Sequence, residues 1–126
     1  MHDLDGLKSH SEPEQEDMIG RRLSDNDEFE GSPPTAHTRR SSPGNSDPKA
    51  YIVRRSMPWA DATGEGLQFV AFGKTFDAFE AIHRRMIGEV DGIVDGLFNF
   101  TKPVTGSYFW CPPVKNGTLN LSFIGI

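Results

Sequence analysis

His37, in PPTAHTRR, and Arg54, in YIVRRSMPWA, stand seventeen positions apart. A neutral imidazole can ligate a metal or relay a proton. An arginine carries a permanent positive charge that can stabilise negative charge building on an oxygen. His37 follows the loop residues Pro33 and Pro34, with no apolar periodicity around it to explain it as packing. Arg54 lies on an extended, β-branched run, where alternation puts Arg54 and Arg55 on opposite faces. Spacing alone leaves both residues open to a bland reading, a solvated loop and a strand edge.

The other three histidines have simpler explanations. His2 and His10 fall in an acidic stretch and read as solvated, and His83 falls on an apolar helical stripe and reads as a core-edge residue. No HExxH, zinc-spaced Cys/His set or GxSxG elbow occurs. GEVDG at 88–92 and GIVDG at 92–96 read as a helix end and the next cap. The single cysteine, Cys111, excludes an internal disulfide and reads as a small buried hydrophobe. A reducing cytoplasm is its simplest setting. Arg21-Arg22 is followed by LSDNDEFE and not by an apolar run, so it is no export signal.

The chain has 126 residues, enough for one domain. Residues 1–32 hold ten acids and three bases and form an acidic, partly disordered segment. Residues 33–126 hold eight acids and ten bases and carry nearly all the aromatic residues. The acidic balance excludes nucleic acid as the main partner, and no run is apolar enough for a membrane span. Residues 1–12 look loose, and 14–23 have a short helical flavour. Residues 24–50 are polar and proline-bearing (Pro33, Pro34, Pro43, Pro48). The pattern predicts strands over 51–57, ended by Pro58, and over 67–72, the latter central. It then predicts a helix capped by Thr75 with a Phe76, Phe79, His83, Met86, Val90 stripe. A shorter helix over 91–100, a strand over 108–111 and a strand in the tail LNLSFIGI complete it. The fold class that follows is α+β, an antiparallel sheet with helices on one face.

At this point the strings MIGRR, PPTAHTRR, IVRRSMPWA, GLQFVAF and DGLFNFTKPVTGSYFWCPP add up. In order and spacing, over about residues 14–113, they resemble the C-terminal part of a dye-decolourising (Dyp-type) haem peroxidase of the bacterial cytoplasmic branch. The resemblance implies a ferredoxin-like C-terminal half holding haem b, with His37 as the proximal iron ligand and Asp95 accepting a hydrogen bond from it. It implies Arg54 as the distal catalytic arginine, Ser56 and Phe69 lining the distal side, and Arg21 meeting a propionate. The activity implied is reduction of hydrogen peroxide coupled to oxidation of a small organic reductant, dye-like, phenolic or porphyrin. The family's full-length members are expected to be homo-oligomers. No CxxCH is present, so covalent c-type attachment is excluded.

One departure stands out. The family's distal aspartate belongs to a GxxDG motif well upstream of the proximal histidine, and nothing upstream of His37 fits it. The expectation is a fragment, with Met1 an internal methionine and a separate N-terminal half as partner. The alternative function is then a non-catalytic haem-binding half-domain.

Overall fold

Short helices and antiparallel hairpins give the chain an α+β architecture in the computed structural model, which describes residues 3–42, 44 and 49–126. His2, Pro43, Pro48 and Met1 lie outside the described residues. Residues 1–12, expected to be loose, hold helix α1 (Leu4–Lys8). Asp3 caps it by accepting from the Gly6 N–H at 2.7 Å. The Asp3 N–H in turn donates to the Phe100 carbonyl.

Helix α2 (Glu12–Ile19) starts earlier and stops earlier than its apolar pattern suggests. Both ends have a local cause. The Ser11 N–H and hydroxyl both donate to Glu14 at 2.8 and 2.7 Å, and Gly20 stops the helix in the left-handed region at φ 86°. Helix α3 (His37–Arg40) is only four residues long and follows the buried Ala36.

Residues 53–72 form one long hairpin in two sections. Strand β1 (Val53–Arg54) pairs with β4 (Ala71–Phe72), and β2 (Met57–Asp61) pairs with β3 (Gly64–Gln68) in the same register. Pro58 does not end the strand as expected but pairs opposite Leu67 inside β2. Arg55 N–H donates to Val70 across the ribbon, so the alternation turns the backbone nitrogen of position 58 outward, where proline loses nothing. The 67–72 segment is not a central strand, because each ribbon has only two strands and Leu67, Phe69 and Phe72 are exposed.

Helix α4 (Asp77–Met86) buries Ile82, while His83 is exposed and not a core-edge residue. Thr75 hydrogen-bonds the Asp77 side chain and does not cap the helix. The segment 91–100 is not an α-helix. Gly88 and Gly92 take positive φ of 79° and 75°, and only a 3-10 turn, Gly96–Asn99, forms. Residues 108–111 are not a strand, and Cys111 is exposed rather than buried. The tail forms a hairpin of β5 (Val114–Lys115) and β6 (Thr118–Leu119), then a 3-10 turn, Ser122–Ile124. The core lies where α2, α3 and the Gly96–Asn99 turn meet, with Met18, Ala36 and Phe100 buried beside Gly20 and Gly96.

Candidate functional site

His37 opens α3, and the loop before it is fixed by the Ala36 N–H donating to the Pro33 carbonyl at 3.0 Å. Its Nδ1 lies 2.9 Å from Asp95 Oδ2. The Asp95 side chain is fully buried, whereas 28% of the His37 side chain is exposed. Three backbone bonds hold Asp95 and its neighbour. Asp95 Oδ1 accepts from the Leu97 N–H at 2.8 Å, the Asp95 N–H donates to Met86, and the Gly96 N–H donates to Thr35. With one carboxylate oxygen spent on Leu97, the other accepts the Nδ1 proton of His37. The Nε2 lone pair is then left free, and Nε2 has no hydrogen-bond partner among the described residues.

Arg54 sits on β1, and its Nη2 donates to the Ser41 carbonyl at 2.6 Å. Ser41 closes α3, so the guanidinium rests at the opposite end of the helix from His37, ~6 Å of helix away. Ser56 and Phe69 fall in the gap between the two ladder sections, at positions the shared register sets opposite each other. Alternation then puts Arg54, Ser56 and Phe69 on one face of the hairpin. Arg21 is held elsewhere, by the Asn26 carbonyl at 2.8 Å and Glu28 at 2.7 Å.

Sequence reasoning missed Arg40 and Asp91. Arg40 has a side chain 3% exposed and grips Asp91 with two bonds of 2.7 and 2.8 Å, and its Nη2 also donates to the Arg85 carbonyl. That guanidinium holds the Asp91 carboxyl well below the ordinary 3.8, at about 2. Burial and the neighbouring Arg40 charge lower Arg85 from its usual range. A four-residue helix and a loop of glycines and aspartates carry no periodic signal that would have paired them.

The family described as "Dyp-type peroxidase, C-terminal" matches residues 1–116. The chain belongs to the Dyp-type peroxidase family. It is 31% identical over 120 residues to a dye-decolorizing peroxidase of Mycobacterium tuberculosis, covering 90% of this chain and 36% of that protein. A solved dye-decolorizing protein from V. cholerae aligns with a TM-score of 0.71 and 30% identity, over 79% of this chain and 34% of that one. A DypB variant from Rhodococcus jostii in complex with haem aligns with a TM-score of 0.69 and 27% identity, over 79% and 34%. The chain therefore spans about a third of the length of these Dyp-type relatives.

The donor chemistry at His37 fits haem. A peroxidase-type haem takes an imidazole nitrogen whose other ring nitrogen donates to a carboxylate. His37 and Asp95 supply that arrangement on a part-exposed ring.

Proposed function

We propose that this Dyp-type domain supplies the haem-holding part of a peroxidase that reduces hydrogen peroxide and oxidises a dye-like, phenolic or porphyrin substrate. The observation behind this reading is the His37–Asp95 hydrogen bond inside a domain of this family. Haem b, when bound, supplies the redox-active iron. His37 would hold that iron through Nε2. Asp95 keeps the proton on Nδ1, orients the ring and makes it a more basic ligand. Arg54 would act as the catalytic fixed charge beside the departing peroxide oxygen, with Ser56 and Phe69 lining the same side. Arg21, already paired with the Glu28 carboxylate, has the chemistry to meet a propionate instead. We propose a cytoplasmic setting from its single cysteine, and homo-oligomers as expected of the family's full-length members.

A second reading is a haem-holding half that turns over only with a separate N-terminal half. Its support is the uncovered hairpin, where Met57, Phe69 and Phe72 are each at least 50% exposed.

Haem titration followed in the Soret region tests both readings. The wild-type spectrum should show axial histidine ligation that His37→Ala abolishes, and an unchanged spectrum in the variant would remove His37 as ligand. Dye oxidation should need an added N-terminal half from a relative, and rapid turnover by the chain alone would sink the second reading.

A further inference from the structure

We infer that the Arg40–Asp91 pair is a positioning clamp for the His37–Asp95 pair, setting the ring tautomer and orientation of the proposed iron ligand; this rests on the function proposed above. His37 and Arg40 are the first and last residues of the same four-residue helix. Both reach across to one segment, His37 to Asp95 and Arg40 to Asp91. A helix this short has too few internal bonds to hold its own orientation, so contacts outside it must do so.

The Arg40 contact is built for that task. Two parallel bonds to one carboxylate fix angle as well as distance, and the Arg85 carbonyl adds a third contact from α4. Asp91 is itself tied to its own loop, accepting from the Ile93 N–H at 3.1 Å. The loop from Asp91 to Asp95 is therefore gripped at both ends by α3.

The arrangement has a cost that a purely solubilising ion pair would not carry. Arg40 is 2% exposed, and its Nε is buried with no hydrogen-bond partner among the described residues. Two further guanidinium bonds brace the end of the same helix, Arg85 to the Arg39 carbonyl at 3.0 Å and Arg54 to the Ser41 carbonyl. Release of Arg40 would let α3 turn about those braces, and the 2.9 Å bond at its other end would lengthen.

The test reads the His37 ring directly, by nitrogen-15 chemical shifts of the neutral imidazole in the haem-free 126-residue chain. In the wild type the proton should sit on Nδ1. Arg40→Lys and Asp91→Asn should each move a large share of the population to the Nε2–H tautomer, as should Asp95→Asn. Ile82→Val, which trims the buried face of α4 and leaves every clamp residue in place, should lower stability without moving the tautomer. Wild-type shifts in both Arg40→Lys and Asp91→Asn would overturn the clamp, and so would an equal shift in Ile82→Val. Asp91→Asn keeps Arg40 in place and serves where Arg40→Lys fails to fold. The measurement uses no haem, so failure of haem binding would sink the proposed function and leave the clamp standing.

Discussion

Gly96 is pressed against Met18 of α2: a methyl group at position 96 would stand 3.0 Å from the Met18 carbonyl oxygen and 3.1 Å from its Cα. On the other side, the Thr35 carbonyl would lie at 3.3 Å. The obstacles are backbone atoms, which cannot swing aside as a side-chain tip can. This contact matters because Gly96 follows Asp95 directly. The close approach of α2 to the turn is what carries the carboxylate to His37.

Gly96→Ala should therefore destabilise the chain by about 1–3 kcal/mol, the range for overpacking a tight core contact. Urea unfolding should show a lower midpoint with an unchanged slope. Gly106→Ala, where nothing lies within 4 Å, should leave the midpoint in place. Equal midpoints for both variants would remove the wedge argument.

Gly20 makes a comparable lock on the opposite flank. Its φ is 86°, and an added Cβ would fall 2.1 Å from Thr38 Oγ1 and 3.1 Å from the Ala36 Cβ. Gly20→Ala should cost more than Gly96→Ala, because a left-handed backbone penalty adds to the clash. Adding Thr38→Ala should relieve the contact with the hydroxyl but neither the Ala36 contact nor the backbone penalty, leaving at least about 1 kcal/mol. A double-mutant cycle checks it, and strict additivity of the two changes would contradict the contact.

These locks show where the sequence was readable. The family resemblance pointed to Asp95, yet the apolar residues around it suggested a helix over 91–100. Gly88, Gly92 and Gly96 defeat that helix, two of them by positive φ, and the broken backbone leaves Asp95 free to cap a 3-10 turn and face His37. Helix α3 is a single turn and leaves no periodicity to find. The Ser11–Glu14 capping box, a pattern the sequence reading passed over, fixes the start of α2 where the apolar pattern placed it two residues late. The strands were legible over 51–57 and 67–72, but not the ladder through Pro58 that joins them into one hairpin. Their layering was not, because an apolar run reads as central whereas Leu67, Phe69 and Phe72 remain about half exposed.

Acid should act on the clamp through Asp91. Its folded pKa, depressed from 3.8 to about 2 chiefly by the Arg40 hydrogen bonds, means the ionised carboxylate favours the folded state. That contribution is fully present above the ordinary value and is lost as pH falls through about 2. Wild type and Asp91→Asn should differ in unfolding midpoint by a constant amount well above 3.8, close on each other as pH falls from there, and meet below about 2. A gap that persists unchanged to the lowest pH would contradict the assignment.

Tyr108 offers an independent electrostatic check, away from His37. Its hydroxyl donates to Glu80 Oε1 at 2.7 Å, and its ring stacks on Phe76 with centroids 4.9 Å apart. The hydrogen bond to Glu80, then burial, then the Glu80 charge all favour the protonated phenol and raise its pKa above 10.0. A raised folded pKa contributes stability that is present below the unfolded value and lost as pH rises through the folded one. Glu80→Gln removes the charge and keeps the size, so tyrosinate should form at lower pH in the variant. Ultraviolet difference absorbance during alkaline titration gives the answer. The chain has only one other tyrosine, Tyr51, and a Tyr51→Phe background leaves the signal to Tyr108 alone. If tyrosinate formed at the same pH with and without Glu80→Gln, the Glu80 bond would not hold in solution.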